Sequence, residues 1–494
     1  MKQRILIDAF LGQTTLALLE EGDLAELYVE RPGMEKLTGN IYVGRVQNVL
    51  PGMNAAFLDI GLGKNAFLYA GDIRVDTRSD QGLADALRQM QIQKLVRPGQ
   101  EIMVQVVKEP GGEKGPRVSS HITLPGRYAV LLPTMPYIGV SRRIHGELER
   151  TRLRSVAEDA CSRYGVGVIV RTAAEGASPE AIFSDVQALV QLWQSLAQRG
   201  ACMAAPALLR QDDTLIERAV RDMLSDAVDS IRTDDPDTFR RLQEVVKLYA
   251  PDSAEKIVLD AETVPLFDRY RIPQQMERAL DRRVWLKSGG YLVFDYTEAL
   301  TVIDVNTGKY VGKRSLSETV FRINCEAARE IARQIRLRDL GGIIVVDFID
   351  MDAPEEREQL LELLRECLKA DRTRTNLAGL TSLGLVELTR KKVRQPVHKW
   401  MAHSCPQCRE SGFVPAHGYL ALKILWEIRR RRMAGDSTPL IIRANAAVGG
   451  HLLQMGAPAG GKTYVLFKDA LSDSEYEMEP VLGTPEGGAR LLKR

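Results

Sequence analysis

The sequence predicts an α/β protein of several domains. Three observations predict it: the length, a run of short alternating strands punctuated by glycine from about residue 39, and strand–helix–strand alternation over 286–400. At 494 residues the chain is too long for one core, and three to five folded units are expected. Its 45% hydrophobic and 27% charged fractions are those of a globular protein. No apolar run approaches the ~18 residues of a membrane span. The start, Met-Lys-Gln-Arg-Ile-Leu-Ile-Asp, puts an acid where a signal peptide carries its apolar stretch. A cytoplasmic protein without disulfides is therefore expected. Cys161, Cys202, Cys325 and Cys367 are scattered and expected to be buried, inert thiols.

Residues 1–37 read as short strands with a turn near Glu21-Gly22-Asp23. From Gly39 the pattern becomes Ile41-Tyr-Val-Gly-Arg-Val, Asn54-Ala-Ala-Phe-Leu-Asp-Ile and Asn65-Ala-Phe-Leu-Tyr; a polar insertion near 73–97 precedes Glu101-Ile-Met-Val-Gln-Val-Val-Lys. Period-2 runs at this density predict a small β-barrel. Residues 122–172 read as further strands with turns, 178–199 as an amphipathic helix, and 206–283 as largely helical. Gly290-Tyr-Leu-Val-Phe-Asp-Tyr and Ala299-Leu-Thr-Val-Ile-Asp are strands, a helix spans about Ser317 to Leu337, and Gly342-Ile-Ile-Val-Val-Asp is a buried strand. Asp352-Ala-Pro-Glu-Glu starts the next helix, with proline and acids in its first turn. This spacing makes a βαβ unit with partly parallel strands.

Asp304 and Asp347 each end an apolar β-branched run, followed by Asn306 and Asp350. Strand C-termini form the ligand crevice of α/β sheets. Two carboxylates there can hold one Mg²⁺, which keeps water in its remaining positions and can act on a phosphoryl group. Asn306 would orient the water or the phosphate. The alternative is that both aspartates merely cap helices or turns. In the barrel, Phe57 and Phe67 sit among small residues, with Lys108, Lys114 and Arg117 following. They are either base-stacking rings beside backbone-tracking cations or plain core phenylalanines. The net charge of +2 is uneven: residues 389–436 hold eleven Lys/Arg against three acids, +8 locally and −6 elsewhere. That is either a polyanion-binding patch or a solvated helix face.

Cys405-Pro-Gln-Cys408 has metal-ligand spacing but supplies only two of zinc's four ligands. His398, His403 or His417, or a second chain, would complete the set. Gly456 to Thr463 satisfies the phosphate-loop pattern, yet no buried strand precedes it and Tyr464-Val-Leu-Phe reads as a strand rather than a helix. A turn is expected, without nucleotide hydrolysis.

The run Thr297-Glu-Ala-Leu-Thr-Val-Ile-Asp-Val-Asn-Thr-Gly308, the segment Ile335-Arg-Leu-Arg-Asp-Leu-Gly-Gly-Ile-Ile-Val-Val-Asp-Phe-Ile-Asp-Met351 and the cysteine pair resemble the bacterial ribonuclease E/G family. Gly39-Asn-Ile-Tyr-Val-Gly-Arg-Val, Leu50-Pro-Gly-Met-Asn-Ala-Ala-Phe-Leu-Asp-Ile-Gly and Arg171-Thr-Ala-Ala-Glu-Gly extend the resemblance over essentially the whole chain. The chain stops soon after the catalytic region, so the family's shorter branch, without a long scaffold tail, is expected. The resemblance implies an RNase H-like subdomain split between 1–38 and 216–280. It implies an S1 RNA-binding barrel at 39–119, a 5′-sensor at 120–215, a DNase I-like catalytic subdomain at 281–401, a zinc link at 402–416 and a small C-terminal domain at 417–494.

Carried over residue by residue, the resemblance implies Mg²⁺ at Asp304 and Asp347 with Asn306 assisting, and RNA contacts from Phe57, Phe67 and Lys114. It implies a 5′-monophosphate pocket from Gly126, Val130, Arg171, Thr172 and Arg374. Two guanidiniums, a hydroxyl and backbone donors suit a dianionic phosphate and would exclude a triphosphate. It also implies that Cys405 and Cys408 share one structural Zn²⁺ with the same pair of a second chain, making a homodimer. The chain departs from the family after Cys408, where Arg-Glu-Ser-Gly-Phe lacks the first usual glycine. The expected activity is metal-assisted hydrolysis of single-stranded, A/U-rich RNA, leaving 5′-phosphate ends, in ribosomal RNA 5′-end maturation and mRNA decay. The competing expectation is a non-catalytic RNA-binding scaffold built on the barrel.

Overall fold

The computed structural model describes residues 2–31, 36–73, 91–110, 114–144, 146–308, 316–403, 408, 412, 414–472, 475–481, 483–485 and 487–493. It divides into two compact units, 1–397 and 398–494. No described helix is long and apolar enough to cross a membrane.

The first unit opens on a meander, Gln3–Phe10, Gln13–Glu20 and Asp23–Glu30, whose second hairpin turns at Glu21 and Gly22 as the sequence predicts. The chain completes this sheet some 200 residues later, when Val228–Thr233 joins parallel to Gln3–Phe10 and Ile257–Leu259 joins in turn. Helix Pro236–Tyr249, capped by Asp235 through the Thr238 amide, packs Leu242, Val245 and Val246 against Ile5, Ile7, Leu16 and Leu18. The 206–283 stretch is therefore not simply helical: its strands are too short, or in Val228–Thr233 too polar, to stand out, and they form through pairing with partners outside their own segment.

Between these halves lies a closed five-stranded barrel of Ile41–Leu50, Ala55–Asp59, Ala66–Tyr69, Arg117–Ser119 and Glu101–Lys108, the last pairing back onto the first. The long first strand pairs with Ala55–Asp59 across a register shift between Val46 and Asn48, with Glu101–Lys108, and with Ala207–Arg210 on the sheet edge. Val46, Ala56, Leu58, Leu68, Val104 and Val106 fill the interior. Most of the predicted polar insertion, 74–90, lies outside the described residues.

Residues 122–172 carry four short strands, Leu124–Pro125, Ala129–Leu132, Ile138–Val140 and Gly167–Val170, in one sheet. They also carry an unpredicted helix, Glu147–Tyr164. Its apolar positions Leu153, Val156, Ala157 and Ala160 recur at helical spacing and face the core, but charged residues surround them and mask the period. Helix Pro179–Cys202 follows where expected.

The six-stranded sheet runs in the order Arg283–Trp285, Tyr291–Tyr296, Leu300–Asn306, Gly342–Asp347, Val386–Arg390, Thr375–Leu380. Among the described residues its only parallel pair is Leu300–Asn306 with Gly342–Asp347, with helix Leu316–Leu337 between them in the chain, the predicted βαβ unit. Ile323, Ala327, Ile331 and Ile335 of that helix cover Leu292, Phe294, Ile303, Val305, Ile344 and Val346, so one face of the sheet is core and the other is open. Helix Pro354–Leu368 packs beside it.

In the second unit, helix His417–Met433 precedes a sheet ordered Tyr476–Pro480, Leu440–Ala444, Thr463–Phe467, Arg490–Leu491, with helix Ala446–Met455 between two parallel strands. The expectation for the scattered cysteines is corrected: Cys202 is exposed, and Cys161, Cys325 and Cys367 are half-buried free thiols. Cys202 ends its helix, beyond the last turn that the core covers.

Candidate active site

Alternation along two β-branched strands fixes the site. Ile303 and Val305 turn into the core, which sends Asp304 and Asn306 to the open face; Val346 does the same for Asp347. Asp304 and Asp347 are direct partners in the parallel register. Neighbouring strands lie about 4.8 Å apart, so the two carboxylates stand side by side. The Asn306 amide donates to Asp304 Oδ2 at 2.7 Å. Partial desolvation, then the charges of Asp304 and Asp350, push the Asp347 carboxyl above the usual carboxylate range. Such repulsion is relieved by a proton or by a cation.

Among the described residues no group of three or more His, Cys, Asp or Glu is arranged to hold a metal ion. Two carboxylates and an amide form an all-oxygen, open donor set. That set fits a hard cation that keeps several waters and a substrate phosphate, not a closed structural site. Residues 309–315, which follow the Asn306 strand, lie outside the described residues.

The segment before Asp347 shows what sequence reading missed. Arg338, Asp339 and Arg390 carry charge yet are buried. Arg390 donates to Asp371 and Asp339 at 2.6 Å each, and to the Leu340 carbonyl. Arg338 donates to Gln334, the Tyr296 hydroxyl and the Asp281 carbonyl while stacking on Phe294 at 4.2 Å. Gly342 takes φ +101°, a turn that side-chain-bearing residues rarely make, and so starts the strand that ends in Asp347. The Leu-Arg-Asp-Leu-Gly-Gly stretch is thus an internal ion-pair bracket setting where the Asp347 strand begins. Apart from Gln334, its partners lie about 40 to 60 residues away, so only the charge was legible.

On the barrel, Phe57 and Phe67 are register partners packed edge to face, with centroids 5.7 Å apart, and both are half-buried rather than core. Tyr69 extends the row, 4.7 Å from Phe67, with Arg117 5.1 Å over its ring. Lys108 and Lys114 are exposed nearby in sequence and register. A Cβ at Gly115 would lie 1.9 Å from the Asn65 carbonyl, so only glycine allows the chain after Lys114 to lie so close to that loop.

Gly126, Val130, Arg171 and Thr172 come together around the strand pair Ala129–Leu132 and Gly167–Val170. Arg171 donates to the Gly126 carbonyl and to Asp222, each at 2.5 Å, and Thr172 shares a hydrogen bond with Ser141 at 2.9 Å. The amides of Arg127, Tyr128 and Ala129 are taken by Asp185. Arg374 is exposed just before its strand, in a loop that Arg143 reaches by donating to the Asp371 carbonyl at 2.6 Å.

Part of the basic stretch is structural. Arg390 is buried, Arg394 stacks on Tyr28 at 3.9 Å and pairs with Asp339, and Arg432 donates to the Asp436, Thr438 and Lys462 carbonyls. Cys405 lies outside the described residues; Cys408 is half-buried. The Gly456–Thr463 segment follows a helix and opens a strand, the reverse of a phosphate loop, and Thr463 is 0% exposed.

Fold and site together define a multidomain α/β protein that pairs a strand-end carboxylate site with a barrel carrying a row of accessible aromatic rings. A profile described as the Ribonuclease E/G family matches residues 123–393. Ribonuclease G of Haemophilus influenzae is 41% identical over 450 residues, 91% of each chain. Ribonuclease G of Salmonella typhimurium is 42% identical over 451 residues, 91% of this chain and 92% of its own. Ribonuclease E of Nostoc is 41% identical over 396 residues, 79% of this chain and 56% of its own. The chain belongs to the ribonuclease E/G family.

Proposed function

We propose that this chain is a Mg²⁺-dependent endoribonuclease of the ribonuclease G type, cutting single-stranded, A/U-rich RNA and favouring 5′-monophosphate ends. The observation that carries the reading is the register pairing of Asp304 with Asp347 on the open face of the sheet. These two carboxylates hold the cation. When bound, it supplies Lewis acidity to a phosphoryl oxygen and to water. Asn306, whose amide is oriented by Asp304, has a second N–H to give a phosphate oxygen. Phe57 and Phe67 stack on bases while Lys108 and Lys114 follow the backbone. Arg171, held in place by Asp222 and the Gly126 carbonyl, receives the 5′-monophosphate with Thr172, Val130 and Arg374. Cys405 and Cys408 share a structural zinc with a second copy, giving a homodimer. The enzyme works in the cytoplasm on ribosomal RNA precursors and mRNA.

The decisive experiment compares one RNA bearing a 5′-monophosphate, hydroxyl or triphosphate, with and without Mg²⁺, and maps both product ends. Cleavage only with Mg²⁺, fastest on the monophosphate and leaving 5′-phosphates, is expected. Equal rates on the three ends would remove the pocket assignment. A second reading, a barrel-based RNA scaffold, rests on the aromatic row standing apart from the carboxylates in sequence and sheet. It requires equal RNA binding in EDTA and no cleavage at all.

A further inference from the structure

The open face of the six-stranded sheet carries more than the carboxylates. Strand registers place Trp285 opposite Tyr291 and Tyr291 opposite Asn306. One row over, they place Arg283 opposite Val293, Val293 opposite Asp304 and Asp304 opposite Asp347. Directly paired residues lie on the same side of a sheet. Trp285, Tyr291 and Arg283 therefore share a surface with the whole candidate active site. Trp285 is two strand spacings, about 10 Å, from Asn306.

Packing does not account for this tryptophan. Val284, between Arg283 and Trp285, is the residue that packs on the core, while Trp285 is 63% exposed on the edge strand. Its ring lies 5.2 Å from that of Tyr291, and the Arg283 guanidinium sits 4.4 Å from the Tyr291 centroid and 5.8 Å from that of Trp285. The nearby Asp295 carboxylate is held by Arg282 at 2.6 Å, and Arg283 lies over the two rings instead. Two rings and a guanidinium on an open surface, continuous with a phosphoryl-acting site, match what unpaired bases stack on: a π-face flanked by a cation for the adjoining phosphate.

We propose that Trp285, Tyr291 and Arg283 form a stacking platform for an RNA base close to the scissile phosphate, fixing the strand at the carboxylate pair independently of the barrel. The proposal rests on the endoribonuclease reading above. Anchoring a base here holds the adjacent phosphodiester against Asp304 and Asp347, and small displacements of a reacting bond are costly.

The test uses the full-length protein and 5′-monophosphorylated single-stranded oligonucleotides, intact or with one abasic position moved stepwise along the cut site. Trp285→Ala is expected to raise KM about tenfold, with kcat changed far less, while Trp285→Phe, which keeps a π-face, stays near wild type. One abasic position near the cut should cost wild type a similar factor and cost Trp285→Ala nothing further. An unchanged KM in Trp285→Ala, or abasic penalties identical in both proteins, would overturn the platform. So would a Trp285→Ala protein whose RNA handling is intact but whose oligomeric state in sedimentation is altered, because the face would then be a contact between copies. If wild type cuts nothing, the nuclease reading fails by itself. Anisotropy titration of the same oligonucleotides in EDTA then still decides the platform, through loss of the abasic penalty in Trp285→Ala.

Discussion

Neutralising either strand-end carboxylate separates catalysis from binding. Asp304→Asn and Asp347→Asn keep side-chain volume and remove one negative charge from a pair set side by side by the parallel register. Two unit charges about 5 Å apart repel by roughly 0.8 kcal/mol in a water-like dielectric, and salt reduces this further at an exposed site. The same carboxylates repel incoming phosphates. In EDTA, either variant should therefore bind single-stranded RNA as tightly as wild type or up to about fourfold more tightly, 1.4 kcal/mol being tenfold. With Mg²⁺ the effect reverses. Loss of one hard ligand removes Lewis-acid assistance worth several kcal/mol, so single-turnover cleavage should fall roughly 10³-fold or more. The assay pairs fluorescence anisotropy in EDTA with single-turnover cleavage in Mg²⁺ on one oligonucleotide. Full activity in either variant refutes the metal role. A binding loss as large as the rate loss would mean that the aspartates hold the fold or the RNA rather than the cation.

Further outcomes are expected. Phe57→Ala or Phe67→Ala should raise KM about tenfold for single-stranded RNA with little change in kcat, because each removes one ring of an edge-to-face pair; a kcat-only effect in steady-state kinetics would contradict this. Asp371→Ala leaves buried Arg390 without its main partner and should cost about 3–5 kcal/mol, read as a lowered urea midpoint; an unchanged midpoint would deny the ion-pair bracket its role. Burial first, then the charges of Asp234, Asp235 and Asp268, raise the Asp8 carboxyl above its ordinary range. Ionised Asp8 thus destabilises the fold above its raised pKa, and the penalty disappears below the ordinary carboxylate pKa. Asp8→Asn should stabilise by about 0.5 kcal/mol at neutral pH, a half-exposed site being screened, and the gain should shrink toward ~pH 4; a gain that grows on acidification would reverse the sign argument.

Much of the architecture is legible in the residues because local chemistry dictates it. Glycine-punctuated alternation made the barrel readable, and the β-branched runs ending in Asp304 and Asp347 located the strands and the site. The order of elements around Gly456–Thr463 already spoke against a phosphate loop. Helix Glu147–Tyr164 was detectable in principle from Leu153, Val156, Ala157 and Ala160, but its dense charge hid that spacing.

What the chain could not disclose locally depends on partners far along it. Val228–Thr233 becomes a strand through pairing with Gln3–Phe10, more than 200 residues away. Arg336 reads as a surface charge until Glu20 and Glu26 close on it from the first sheet, over 300 residues earlier. The same holds at the site. Sequence alone determined which carboxylates close the apolar β-branched runs, at or near the strand C-termini, since side-chain alternation and β-branching are properties of a few neighbouring residues. Only tertiary structure decided that Asp304 faces Asp347 in register, and that Trp285 and Tyr291 share their surface. Register is set by pairing between strands, where a slip of one residue would have turned each of these side chains to the other face.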